Sequence, residues 1–549
     1  MKKKLALLLG MTMALSVLGG CGTAGKSTDQ SADKTAEAVA QVSADAGSST
    51  QAAALTDENG FPTTKEAQDA IAERKSAGKY PTIAISFMNW SGAPAGQDRI
   101  AQAISKRTEE TLGIDVSIQI MDAASYPQNM NLMLASGEQV DLFNAVSVGY
   151  LPCINKGYLY DLEEDNLLGL YGQGMKQVVG DKYMEGSRMD GKLYGVTSLH
   201  EMAAGKEGIV VVKKYLDEIG FDYSSMYKNA DDEIIYTDIN TINDMFAKMH
   251  AKHPDKAVIF FNNSGISRFM NVDKLGDGFG VLTDPTNSLT VENLYESESY
   301  QAFVKQMREW NQAGYFSADA LTETTSATAQ MKAGSTMAEM CNTKPGVRAQ
   351  EGGLVGDDVV VFQVGEDFTA SDACMGMPWC INSQTKDPVA AMQLLNALYT
   401  DPVLSNLICW GEEGTDYVRT DDGHFTFPEG VTAADSKYYN NVNWEMPNQM
   451  IAGVWEGNAL DIWDQTTKFN DNAKISKAFG FTFNNSDVSN EFTALTNVVK
   501  EYQGELEFGF ADPDSTLKEM NQKLKAAGLD TYMQAKQKAM DAWASSSQK

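Results

Sequence analysis

Between residues 81 and 143 the hydrophobic pattern alternates between a strand-like and a helix-like period, and this alternation constrains the fold more than any other feature. Residues 81–88 (PTIAISFM) form a β-branched run that enters a loop at Asn89 and Trp90. Ile100, Ala103, Ile104, Thr108 and Leu112 then recur at helical spacing, with Gly113 as a stop. Residues 114–120 (IDVSIQI) predict a second strand, 126–135 a second helix and 140–143 a third strand. Strands joined by helices of this length need crossover connections, so the pattern predicts a parallel sheet with helices on both faces. The fold class is therefore α/β. In such sheets, functional groups gather beyond the C-terminal strand ends, here near 89–90 and 144–150. The alternation continues through strands at 209–212, 257–261 and 359–364 and helices at 242–250, 300–313 and 388–399. The last 80 residues predict a small α+β region: a strand at 478–483, then helices at 489–502, 515–527 and 532–543. A chain of 549 residues is too long for one ordinary domain and suits two large lobes with appendages.

The N-terminus indicates a destination. Three lysines follow Met1, and residues 5–20 carry no charge. This apolar run is shorter than the ~20 residues of a membrane-spanning helix and reads as the core of a signal peptide, 1–20. It ends LGGC at 18–21, which resembles a bacterial lipobox, and that resemblance makes Cys21 the lipidated first residue of the mature chain. Two acyl chains hold a protein at a bilayer stably, whereas one does so only marginally. Residues 22–54 contain no aromatic residue, so 21–60 is read as a disordered tether. It would hold the body about 30 Å from the membrane. The pattern GxxxxGK[ST] at 20–27 straddles the cleavage point and lacks the strand-to-helix setting that phosphate binding requires.

Charge and missing motifs narrow the function classes. The formal net charge is −30, and removing the three leader lysines takes it to −33. Such an acidic body repels polyanions, so nucleic acid is not an expected partner. Only four histidines occur. His200-Glu201 begins like HExxH, but position 204 is Ala. There is no GxSxG elbow, no CxxC, and no EF-hand ligand pattern at 273–278. Nothing singles out two of the 74 acids as a glycosidase pair. No catalytic residue, cofactor or metal ligand is assigned. Apart from Cys21 the five cysteines give no framework; Cys374 and Cys380 are close enough in sequence to pair but could equally be buried thiols.

Phrases spread over more than 450 residues carry a family resemblance. LASGEQVDLF at 134–143, DGKLYG at 190–195, KAG at 332–334, KPG at 344–346, DPVAAMQLLN at 387–396 and WGEEGTDY at 410–417 appear in the family's order. The chain resembles the bacterial extracellular solute-binding lipoproteins of carbohydrate-type ABC importers, in the subgroup with an extra uncharacterised C-terminal domain. The resemblance implies a two-lobed fold with a hinge, the chain crossing near 200–208 and 373–378. Lobe 1 is expected at 61–205 and 374–435, lobe 2 at 206–373, and the lobe 2 return with the C-terminal domain at 436–549. It also implies a monomeric, non-enzymatic protein that captures a solute, most simply a mono- or oligosaccharide, and delivers it to ABC permease subunits at the extracytoplasmic face of the cell membrane. A peptide or other small nutrient is the alternative within the binding class, and a surface glycoside hydrolase or an adhesin the alternatives outside it.

Aromatic rings pack on the apolar faces of sugars, and polar side chains satisfy the hydroxyl rim. On that chemistry the expected ligand-binding residues are Asn89, Trp90, Tyr150, His200, Glu201, Trp379, Trp444, Trp455 and Trp463. Trp90 and Trp379 lead because each is expected just past a strand. Trp410, in an apolar helix end, is expected to be buried.

Overall fold

The computed structural model describes residues 55–90, 92–229, 232–261, 265–433 and 435–547. Cys21, the leader and most of the expected tether lie outside the described residues.

Lobe 1 begins with strands β1 (Thr82–Asn89), β2 (Asp115–Asp122), β3 (Leu142–Asn144) and β4 (Gly195–Thr197). β1 is parallel to both β2 and β3, as the strand–helix alternation predicts. Every β1 residue after Thr82 is buried, as expected for a strand paired on both edges in a helix-covered sheet. The helix Gln97–Leu112 packs through Ile100, Ile104 and Thr108, the stripe read from the sequence.

The chain then crosses to lobe 2, which contributes β5 (Ala204–Val212), β6 (Ile234–Tyr236), β7 (Ala257–Phe260), β8 (Thr336–Thr343), β9 (Val359–Gln363) and β10 (Asp367–Thr369). β5 lies antiparallel to β8 on one side and to β9 and β10 on the other, with β7 and β6 added in parallel outside β8 and β9. A second crossing returns the chain to lobe 1 as β11 (Pro378–Ile381), which inserts antiparallel between β3 and β4. The sheet of lobe 1 is thus mixed, in the order β2-β1-β3-β11-β4. Helix Pro388–Thr400 covers it, its first turn capped by the Asp387 side chain.

The return to lobe 1 extends further than expected. Tyr438, Val442, Met446 and Trp455 all belong to the same core as β1 and β11. The expected boundary at 436 is therefore about 20 residues early, because these aromatic and apolar side chains bury on lobe 1. The third crossing follows, through helix Ile462–Asn472, to a short strand Lys474–Ile475 parallel to β10.

The C-terminal region is helical rather than α+β. Residues 478–480 form a turn and 481–483 an irregular segment instead of a strand, with Ala478 and Phe481 buried among Leu275, Leu282 and Met540. Helices Ser489–Glu507, Pro513–Ala526 and Leu529–Ser547 pack on a lobe 2 loop through Leu495, Leu506, Met520 and Tyr532. Among the described residues no helix is long and apolar enough to cross a membrane. Cys374 and Cys380 are both free thiols.

Candidate ligand site at the lobe 1 strand ends

β1 ends at the surface beside the loop 440–450. Asn89 is buried and donates from Nδ2 to the Asn440 carbonyl at 2.6 Å and to Asn440 Oδ1 at 2.7 Å. This clamp presents the next residue, Trp90, to solvent at 51% exposure. Its ring lies 6.5 Å from that of half-buried Trp444, tilted by 34°. An exposed indole beside a second one offers an apolar ring surface at the strand ends.

The floor beneath this pair carries no full charge. Glu445 is fully buried, and burial pushes its carboxyl up to about 8 although Oε2 accepts a hydrogen bond from the Met88 N–H at 2.9 Å. It is therefore protonated at neutral pH. The Glu445 carbonyl accepts from Trp379 Nε1 at 2.7 Å and from Asn144 Nδ2 at 3.4 Å.

The three crossings converge beside this floor. Leu199 exchanges backbone hydrogen bonds with the loop 447–449, and Ser198 Oγ donates to the Met377 carbonyl at 2.9 Å. His200 Nδ1–H donates to the Glu201 carbonyl at 2.7 Å; burial lowers its pKa, so the ring is neutral and Nε2 is a lone-pair acceptor with no partner among the described residues. Glu201 forms an ion pair with Lys344 at the end of β8, joining the first crossing to lobe 2. Burial alone would raise the Glu201 carboxyl, but Lys344, with smaller contributions from His200 and the backbone, holds the group below its usual value. Asn470 closes the junction: Nδ2 donates to the His200 carbonyl at 2.8 Å, and Oδ1 accepts from the Met202 N–H at 2.8 Å and the Ala203 N–H at 3.1 Å.

Of the residues expected from sequence, Asn89, Trp90 and Trp444 come together, with His200 and Glu201 on the adjoining crossing. The others do not join them. Trp379 lies inside β11 rather than after it, with no exposed surface, and packs 5.2 Å from Phe87. It supports the floor from below, so its expected stacking role is corrected to a core role. Tyr150 is also buried, and its hydroxyl donates to the Ser187 carbonyl at 3.0 Å. Trp455 is buried in an aromatic cluster with Trp410 at 5.0 Å and Phe427 at 4.9 Å, which removes it from the site. Trp410 is buried as expected. Trp463 is half-buried on the third crossing, its Nε1 donating to the Ala452 carbonyl at 2.8 Å. Lys344, Asn440, Glu445 and Asn470 were missed, because each acts through a partner more than 100 residues away and has no local signature. Among the described residues no group of three or more His, Cys, Asp or Glu could hold a metal ion.

The N-glycan transport solute-binding protein NgtS of Streptococcus pneumoniae superposes with a TM-score of 0.73 at 21% identity, covering 84% of this chain and 98% of its own. This is the fold of the solute-binding proteins. The same protein in complex with Man5GlcNAc aligns with a TM-score of 0.61 at 22% identity, over 84% of this chain and 98% of the other. Among curated proteins, a carbohydrate ABC transporter substrate-binding protein of S. pneumoniae serotype 4 is 23% identical over 460 residues, 83% of this chain and 89% of its own. Residues 477–545 match a domain of unknown function, DUF3502, which coincides with the C-terminal region singled out in the sequence.

Proposed function

We propose that the protein captures a carbohydrate between its lobes and delivers it to the permease of an ABC importer. The observation that carries this reading is the exposed Trp90–Trp444 pair over an uncharged, amide-rich floor, placed where the crossings meet. A neutral sugar offers apolar faces to such rings and hydroxyls to Nε2 of His200 and to nearby amides. The names of the relatives support the same ligand class and the same transport partner. Lobe closure on the ligand is a population shift set by tighter binding to the closed form. Binding without turnover, a monomeric state, and anchoring through a diacylated Cys21 on the extracytoplasmic face of the cell membrane belong to this reading.

Thermal unfolding against a panel of neutral oligosaccharides and peptides tests it. A ligand at 100 times its Kd stabilises by ~2.7 kcal/mol, a clear upward shift. Stabilisation by peptides alone, or release of cleaved sugar during incubation, would overturn the proposal.

A further inference from the structure

The DUF3502 match opens at residue 477, and residues 476–481 touch both lobes at the second crossing. On the lobe 2 side they are fixed by backbone. The Ser476 N–H donates to the Thr369 carbonyl at 2.9 Å, the Lys477 N–H to the Pro285 carbonyl at 2.7 Å, and the Gly480 N–H to the Ser371 carbonyl at 2.9 Å. Ser371 is held in turn by buried Asp273, whose Oδ1 and Oδ2 accept from its Oγ and N–H, each at 2.9 Å. The loop that contains Asp273 is clasped by the last helix: Lys536, with no exposed side-chain surface, donates to Asp277 Oδ1 at 2.6 Å and to the Gly280 carbonyl at 3.1 Å. The C-terminal helices are thus wired to the crossing through one loop.

On the other side the same turn presses on lobe 1. The Phe479 ring meets Tyr183 edge-on at 6.1 Å, and Lys182 Nζ lies 4.9 Å and 5.7 Å from the two ring centres. Tyr183 belongs to helix Gln173–Gly186, whose Met175, Val179 and Met184 are part of the lobe 1 core. At Gly186 an added Cβ would lie 2.7 Å from Cys374 Sγ and 2.9 Å from Phe479 Cε1, and at Gly480 an added Cβ would lie 3.1 Å from Gly186 Cα. Two glycines let the lobe 1 helix end and the DUF3502 turn meet at backbone distance, with the crossing residue Cys374 between them.

We propose that the DUF3502 region is a brace on the hinge: its Phe479–Gly480 turn wedges against helix Gln173–Gly186 and stabilises the open arrangement of the lobes, which sets how much of the protein is poised to close. Trp90 is half in solvent in the arrangement seen here, so the contact at Phe479 coexists with an accessible ligand surface. Because the turn is fixed to lobe 2 and the helix to lobe 1, rotation of one lobe on the other moves this contact. An edge-on aromatic pair biases such an equilibrium by about 2- to 10-fold. The link to ligand affinity rests on the carbohydrate-capture reading above; the effect on lobe geometry does not.

The test uses the intact protein with Phe479→Ala, Phe479→Leu and, from the lobe 1 side, Tyr183→Ala. Small-angle scattering without ligand should show a smaller mean radius for Phe479→Ala and Tyr183→Ala, with Phe479→Leu between them and wild type. Calorimetry with a sugar that binds wild type should show about 2- to 10-fold tighter binding in the same order. Unchanged radius and affinity in whichever alanine variant folds, or weaker binding, would overturn the brace. A changed radius with no sugar bound by any variant would keep the brace and reject the carbohydrate reading.

Discussion

The two lobes meet at the same three crossings but present different chemistry there. Lobe 1 offers rings and amides: Trp90, Trp444, the Asn89–Asn440 clamp, and a Glu445 that burial keeps protonated. Lobe 2 offers charges, and these are engaged internally. Lys344 pairs with Glu201, Asp273 holds the crossing residue Ser371, and Lys536 ties the last helix to Asp277. On the proposed reading, lobe 1 recognises the solute, and lobe 2 with its C-terminal helices sets the lobe geometry. The one carboxyl of this floor that accepts from β1, Glu445, is kept neutral by burial and offers a ligand no counter-charge.

The sharpest break in this comparison is between two tryptophans of lobe 1. Trp379→Ala empties a fully buried site under the floor and should cost about 3–5 kcal/mol, read as a large fall in the ligand-free melting temperature. A small fall would mean that the floor does not depend on this ring. On lobe 2, Lys536→Ala removes one partner of a buried ion pair and should cost about 3–5 kcal/mol in denaturant unfolding, whereas Lys536→Met should recover much of it. Equal losses in both variants would show that the charge itself is required.

Glu445 separates the lobes by pH. Its folded pKa is about 8, above the 4.5 of an ordinary glutamate, so the folded state binds its proton more tightly than the unfolded one. The stability from the neutral form is fully present below pH 4.5 and is lost as pH rises to about 8. Glu445→Gln should therefore lessen the decline in unfolding free energy between pH 5 and pH 8.5, by about 3–4 kcal/mol relative to wild type. Parallel pH profiles for the two proteins would contradict a buried, protonated Glu445. The smallest effect in stability is expected at Trp90. Trp90→Ala should leave the ligand-free melting temperature nearly unchanged and weaken sugar binding several-fold, about 1 kcal/mol.

Much of the architecture was legible because hydrophobic period is a local property. The helix 97–112 and the parallel β1, β2 and β3 follow directly from apolar spacing in residues 81–143. The site was legible only in part. Trp90 and Trp379 look alike in sequence, each near the end of an apolar run beside small or polar residues. They differ because β11 inserts between β3 and β4 and buries Trp379, while β1 ends one residue before Trp90. That outcome depends on strand order, which no local pattern encodes. The same holds for Lys344 and Asn470, whose partners Glu201 and His200 lie on another crossing. Residues 478–483 alternate like a strand, but tertiary burial of Ala478 and Phe481 decided their conformation.

The central claim is that a carbohydrate is held on the Trp90–Trp444 surface while the lobes close. The most direct measurement is a calorimetric titration of wild type and a Trp90→Ala, Trp444→Ala double variant with neutral oligosaccharides, paired with scattering at each end point. The account predicts saturable binding with compaction in wild type, and at least tenfold weaker binding by a double variant that still folds cooperatively. Sugar binding of equal strength in both proteins, or binding without compaction, would contradict it.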